Sequence, residues 1–430
     1  MEGELANNPT LVGVAKRQAE GTGPRDHQEC DQGYDERSGR PVDEPRRNVS
    51  VWSRPRSLHR LTIVSTTVAD RVTVAGWVGS TNLGDELLFR QMEWLLADRG
   101  VAVSAPSIAP AATAAIHGAQ APTPDTFGHL RPSALRRRLV TSDALVFGPG
   151  GLLQDETGIW NLPYHLHRIH AARRISVPWA GIGLGADGLT TARGRAQVQR
   201  ALVDHTAIAV RDEPSAEALR ALGIERVVRA ADLAFLTQPP DVERDGALGV
   251  CLRAPQTGRL RPAALGRAPR WPDQQAQAMA DALDNAARST GLTVRFVALD
   301  ATHDGPVHRQ VAERMATQAQ VLEPDLDAVV ATLGRLEAVA TMRYHGAVLA
   351  AAGGAAVVAL PFSPKLRSLV GDLGPGACVL AAGADTMEPG LADALAGVLA
   401  GRDRLAEAVE RLRTLAGRNV DVLDGLLEAS

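Results

Sequence analysis

Three groups able to hold or protonate an anion stand at the ends of one otherwise apolar run, ATMRYHGAVLAAAGGAAVVALPFSPKL, residues 340–366. Arg343 and His345 open it and Lys365 nearly closes it. A guanidinium binds carboxylate or phosphate through two parallel hydrogen bonds, an ammonium adds a point charge, and an imidazole titrates near neutrality and so moves protons. Arg343 and His345 follow the apolar strand LEAVATM and start the helix GAVLAAAGG, whose free amides favour an anion. Lys365 follows the next strand, AAVVALP, and reaches the same carboxyl edge of a sheet. A lone histidine at a helix start is usually structural, but three such groups on adjacent loops favour an anion site.

Four other loops carry candidates. Arg211 ends the strand HTAIAVRD, and Asp212 caps the helix after it; the competing reading of Arg211 is a salt bridge to Asp212 or Asp232. In GWVGSTNLGDELL, Asn82 caps a helix, Gly84 lets backbone approach a ligand, and Asp85 and Glu86 fall in the first turn. Those acids either compensate the helix dipole or, for Asp85, hold or deprotonate an acceptor hydroxyl. Two carboxylates make this loop a poor phosphate site. FGPGGLLQDETG frees its backbone at Gly148, Gly150 and Gly151 and offers Gln154 and Asp155 as hydrogen-bonding groups. GIGLGADG has the glycine spacing of a dinucleotide fingerprint, yet the first strand lacks that motif and the ribose-binding acid is missing, which argues against a nicotinamide site. YHLHRIHAARR places His165, His167 and His170 close together, but with no nearby acid and several arginines it reads as a basic helix face, not a metal site.

The elements that must position these loops repeat in one pattern: a short apolar strand, a glycine-bearing loop, an amphipathic stretch. RVTVAGW, VAVSAP, DALVFGPG, PWAGIGLG, HTAIAVRD and RVVRAADLAFL read as strands of one parallel α/β sheet over residues 66–238. Residues 239–245 are a polar linker, and LGVCLR, LTVRFVAL, AQVLEP, LEAVATMR and AAVVALP build a second such domain over 246–385. Helices close the chain over 386–430, and residues 1–65, polar and aperiodic, are expected to be disordered. The fold class is therefore α/β, with two Rossmann-like parallel-sheet domains facing a cleft.

Composition narrows the rest. Lys plus Arg total 46 against 49 for Asp plus Glu, which gives no electrostatic case for a nucleic-acid partner. Three cysteines, Cys30, Cys251 and Cys378, lie far apart, arguing against a disulfide framework or a structural zinc and for a cytoplasmic address. No signal peptide or spanning run is expected, which leaves work at the inner face of a membrane open.

Taken together and in order, GSTNLGDELL, FGPGGLLQDETG, GIGLG, VRDEPSAEALRALG, AADLAF, MRYHGAVLAA and PFSPKL resemble the polysaccharide pyruvyltransferase family over most of residues 72–375. The resemblance implies a GT-B-like fold and transfer of the enolpyruvyl unit of phosphoenolpyruvate to a sugar as a cyclic ketal, with no metal or organic cofactor. Arg343 and His345 match the family's Arg-x-His motif and Lys365 its lysine after proline. The loop from Asn82 to Glu86, with Gln154 and Asp155, would face a glycan or lipid-linked glycan acceptor. The donor would then be held by Arg343, Arg211 and Lys365, with His345 as acid and Asp85 or Asp155 as base. Two departures stand out: Tyr344, where leucine is common, and Ser363, where many members have aspartate. The rival enzyme is a GT-B glycosyltransferase using a nucleotide-sugar, and the non-enzyme rival a glycan-binding or assembly protein.

Overall fold

Strands buried on both faces need covering helices on both, and the apolar runs of this sequence fold accordingly. The structure, a computed structural model, describes residues 69–117, 124–156, 158–202, 207–237, 243–253, 270–300, 302–323, 325–360, 364–380 and 387–430. The expected disorder of residues 1–65, most of the expected linker, and Ser363 lie outside the described residues.

The first half runs β1 (Arg71–Ala75), α1 (Leu83–Ala97), β2 (Ala102–Ser107), α2 (Pro110–His117), β3 (Asp125–Gly128), α3 (Pro132–Val140) and β4 (Ala144–Phe147). It continues through α4 (Asn161–Arg174), β5 (Trp179–Leu184), α5 (Ala192–Leu202), β6 (Ile208–Val210), α6 (Glu213–Arg220) and β7 (Val227–Arg229). The second half runs β8 (Ala247–Cys251), α7 (Asp273–Thr290), β9 (Thr293–Val297), α8 (Gly305–Ala312), β10 (Ala319–Leu322), α9 (Leu326–Leu333) and β11 (Ala338–Thr341). Then follow α10 (Tyr344–Ala352), β12 (Ala356–Ala359), α11 (Pro364–Leu373), β13 (Ala377–Val379), α12 (Met387–Ala400) and α13 (Leu405–Glu428). Every strand pairing is parallel, in the orders β3-β2-β1-β4-β5-β6-β7 and β10-β9-β8-β11-β12-β13. The expected pair of parallel-sheet domains is therefore present.

The pattern of apolar runs finds the central strands and misses β3 and β13. Both are edge strands, three or four residues long, and need little apolar sequence because one side is unpaired. RVVRAADLAFL, expected as one strand, stops pairing at Arg229; the Asp232 carboxylate then accepts from the Ala234 amide at 2.9 Å and turns Leu233–Leu236 into a 3-10 helix.

One continuous core runs through both sheets. The last helix, α13, leaves the second half and packs on β5, β6 and the 3-10 turn of the first. Buried Asn419 fixes it there, accepting from the Gly183 amide at 2.9 Å and donating to the Ala231 carbonyl at 2.8 Å.

Candidate active site

Strand order reverses between β1 and β4 in one sheet and between β8 and β11 in the other, and ligands of open parallel sheets collect beyond the carboxyl ends at such points. The segments leaving β1 and β4 carry Asp85, in the first turn of α1, and Gln154; those leaving β8 and β11 carry Arg253, Arg343 and, in the first turn of α10, His345. The halves meet directly here. The Leu83 amide donates to the Leu299 carbonyl at 2.7 Å, and the Thr81 hydroxyl to Asp300 at 3.0 Å.

His345 lies in the first turn of α10 and rests on Gly84 of the opposite half. A β-carbon at Gly84 would stand 2.1 Å from His345 Nδ1, so only glycine admits the ring. The other nitrogen, Nε2, faces Asp232 Oδ2 at 3.7 Å, too far for a direct hydrogen bond, and both atoms are buried without a partner among the described residues. Burial alone would raise the Asp232 carboxyl, but His345 and Arg211 outweigh it and hold the group below the ordinary carboxylate range. Asp232 was read from sequence only as a partner for Arg211; its place behind His345 depends on the break in the expected strand.

Arg343 precedes α10 and is held from within the protein. Its Nε donates to both oxygens of Asp304, at 2.9 and 3.0 Å, and its Nη2 also bonds Asp304. Asp304 is fully buried and additionally accepts from the Leu299 and Asp300 amides, while Asp300 lies 3.8 Å from Arg343 Nη2. Arg343 therefore reaches the cleft with one edge already neutralised.

Arg211 is also paired, to Asp212 at 3.2 Å and Asp187 at 3.3 Å, as the salt-bridge reading anticipated for Asp212. Its guanidinium crosses halves to lie 4.6 Å from the Tyr344 ring centroid, and Lys365 Nζ lies 5.8 Å from the same ring. Tyr344 thus serves as an apolar plate against which two cations from different elements are set. Gly185 leaves room for Arg211, since a β-carbon there would come within 2.7 Å of its Nη2. Lys365 forms no ion pair among the described residues. Burial, with help from Arg211, pulls its ammonium down to about 8, against the opposing pull of Asp187 and Asp85. Arg253, at the carboxyl end of β8, belongs to the same group: Arg343, Asp304, Asp300 and Asp85 all act on its charge. Sequence reading treated it only as the end of a strand.

The acids expected in the first half divide. Asp85 lies in the cleft, where burial raises its carboxyl despite His345 and Lys365, and Asn82 donates to it at 2.5 Å while also capping α1. Glu86 points the other way. One oxygen accepts from the Gly79 and Ser80 amides at 2.8 and 3.0 Å, and the other meets His117, which also bonds Glu93. Asp155 takes the Thr190 and Thr191 amides and hydroxyls, and although burial opposes it, those bonds bring the carboxyl down to about 2. Both carboxylates are occupied as loop anchors. Gln154 is half-buried beside Gly188, and its carbonyl accepts from Asn161 at 2.7 Å.

The three histidines of α4 separate: His165 is buried beside Arg168, His167 bonds the Tyr164 carbonyl, and His170 is exposed. Trp77, His129, Tyr164 and His165 form an edge-to-face cluster, with Arg168 stacked on Tyr164, at the carboxyl edge of the first sheet. Among the described residues no three His, Cys, Asp or Glu side chains are grouped to hold a metal ion.

Two parallel-sheet α/β domains whose switch points face one another across a cleft define a GT-B-like protein. Similar solved structures include UGT89C1 of Arabidopsis thaliana complexed with UDP-L-rhamnose, with a TM-score of 0.53 and 13% identity over 84% of this chain and 100% of that one. The MnaA–UDP structure of S. aureus gives 0.54 and 13% over 82% and 94%. UDP-GlcNAc 2-epimerase of Neisseria meningitidis gives 0.53 and 9% over 84% and 100%. These likenesses concern the fold. No curated protein matches the sequence. Residues 82–364 match the polysaccharide pyruvyl transferase family, and the chain belongs to it. That span contains Asp85, Arg211, Asp232, Arg253, Arg343 and His345 and ends one residue before Lys365.

Proposed function

We propose that the protein transfers the pyruvyl unit of phosphoenolpyruvate to two hydroxyls of one sugar in a cell-surface polysaccharide or its precursor, forming a cyclic ketal. The observation that carries this reading is Lys365: a half-buried lysine at the cleft, without a carboxylate partner among the described residues, set with Arg211 on one aromatic ring. A lysine so placed stabilises a bound anion. Arg253 lies in the same cation group, and Arg343 and Arg211 each keep an Nη1 not taken by a carboxylate.

Chemistry follows from His345. The imidazole, with Asp232 Oδ2 3.7 Å from its Nε2, delivers a proton to the methylene carbon of the donor, making the adjacent carbon electrophilic. One sugar hydroxyl adds there and gives its proton to Asp85. Departure of phosphate, protonated as it leaves, regenerates the electrophile; the second hydroxyl adds, loses its proton and closes the ketal. One hydroxyl proton thus balances the new methyl group and the other the released phosphate. Asp232 stabilises the charged imidazole, and neither Glu86 nor Asp155 takes part.

The test is thermal stabilisation of the purified protein by phosphoenolpyruvate, with UDP-sugars alongside, since a ligand of the folded state raises the melting temperature by mass action. A rise with phosphoenolpyruvate that disappears in Lys365→Met is expected. A rise with nucleotide-sugar alone would replace this reading with a glycosyltransferase.

A further inference from the structure

The strongest surface feature outside the cleft is on α3 and the start of α4. Leu130, Val140, Ile159 and Trp160 are 74%, 64%, 73% and 76% exposed, and they are the large apolar side chains so exposed among the described residues. All four belong to one stretch of the first half. Leu130 stands two residues before α3, Val140 ends it, and Ile159 and Trp160 lead into α4, which packs beside α3. The His129 ring meets Tyr164 in the second turn of α4 at 5.6 Å, which brings the start of α3 and the start of α4 to the same end of the domain.

The same stretch is cationic. A surface groove of about 1190 Å³ runs along α3, with Arg71, Arg131, Arg136, Arg137 and Arg138 in its walls. Arg138 is paired with Asp125; Arg131, Arg136 and Arg137 are exposed and have no carboxylate within 4 Å among the described residues. Glu156, also exposed, is the acid nearest in sequence to Trp160. Exposed apolar side chains on the same packed helix pair as unpaired arginines are favoured at an interface that is apolar inside and anionic outside.

We infer that this face docks on an anionic lipid bilayer, with Leu130, Ile159 and Trp160 entering the headgroup region and Arg131, Arg136 and Arg137, along α3, meeting lipid phosphates. Charge complementarity selects the occupant: a neutral protein partner would leave three guanidiniums without counter-charge, and a soluble polyanion would leave the apolar residues in water. Leu130 and Trp160 stand at the carboxyl edge of the first sheet, the edge that carries Asp85, so docking would hold the acceptor side of the cleft near the membrane. The inference does not depend on which donor the cleft takes.

Flotation of the full chain with vesicles of phosphatidylcholine, and of phosphatidylcholine mixed with phosphatidylglycerol, tests it. Binding to the mixed vesicles alone, weakened by salt, is expected. Arg136→Glu with Arg137→Glu should lower it at least about tenfold, given about 1 kcal/mol per basic residue at such a surface. Leu130→Ser with Trp160→Ser should lower vesicle binding while leaving binding to heparin unchanged. These positions are exposed, and an unaltered melting temperature would show the variants folded. Equal binding to both vesicle types, no vesicle binding, or heparin binding with vesicle binding indifferent to the serine pair would each overturn the proposal.

Discussion

Asp304 grips Arg343 side-on, with Nε reaching both carboxylate oxygens at 2.9 and 3.0 Å where Asp304 is fully buried. Removing one partner of such a pair strands the other. Arg343→Ala should therefore cost about 3–5 kcal/mol in urea unfolding, and Asp304→Ala in the same chain should restore part of it. Unchanged stability with lost phosphoenolpyruvate affinity would make Arg343 a ligand of the donor and not a strut of the site.

Gly84 faces the opposite consequence. Its added methyl would stand 2.1 Å from His345 Nδ1, so Gly84→Ala displaces the ring from its place against α1. Turnover should fall by about 10²-fold or more, the usual contribution of a positioned acid, while donor-induced stabilisation persists. Wild-type turnover in this variant would remove the imidazole from the reaction.

Asp232 lies behind His345, 3.7 Å from its Nε2, so its part is to position the imidazole. Asp232→Asn keeps the bond to the Ala234 amide and removes the negative charge 3.7 Å from Nε2. The expected result is a kcat reduced by about 10-fold to 100-fold with KM for phosphoenolpyruvate little changed. A rise in KM alone would assign Asp232 to binding.

Lys365 gives the site a pH dependence of known sign. Its ammonium, pulled to about 8, is charged below that value and neutral above it. Phosphoenolpyruvate affinity should accordingly weaken by about tenfold per unit as pH rises beyond about 8, and calorimetry across that range measures it. In Lys365→Met affinity should be low and flat. A wild-type profile that stays flat to higher pH would place the anion elsewhere.

Much of this was legible in the residues, for a physical reason. A cation or histidine directly after an apolar parallel strand has one place to be, the carboxyl edge, so Arg343, His345, Lys365 and Arg211 could be grouped from sequence, and the family and fold with them. Carboxylate direction was not legible. Asp85 and Glu86 are neighbours on one helix turn, yet one lies in the cleft and the other binds the Gly79 and Ser80 amides; spacing from the helix start does not distinguish them. Asp155 resembles a cleft residue until Thr190 and Thr191 close over it. Asp232, Asp304 and Arg253 were missed because each acts on a residue about 40 to 110 positions away, a relation that only the packed halves create.

The course of the last helix limits how the enzyme can be divided. Because α13 crosses back and Asn419 is bonded to Gly183 and Ala231, the first half is completed by the chain's own end. A chimera built to exchange the first half between relatives cannot be cut once at the linker. It needs two junctions, so that α13 travels with the sheet on which it lies, and a single-crossover library would separate Asn419 from the Gly183 and Ala231 backbone it bonds.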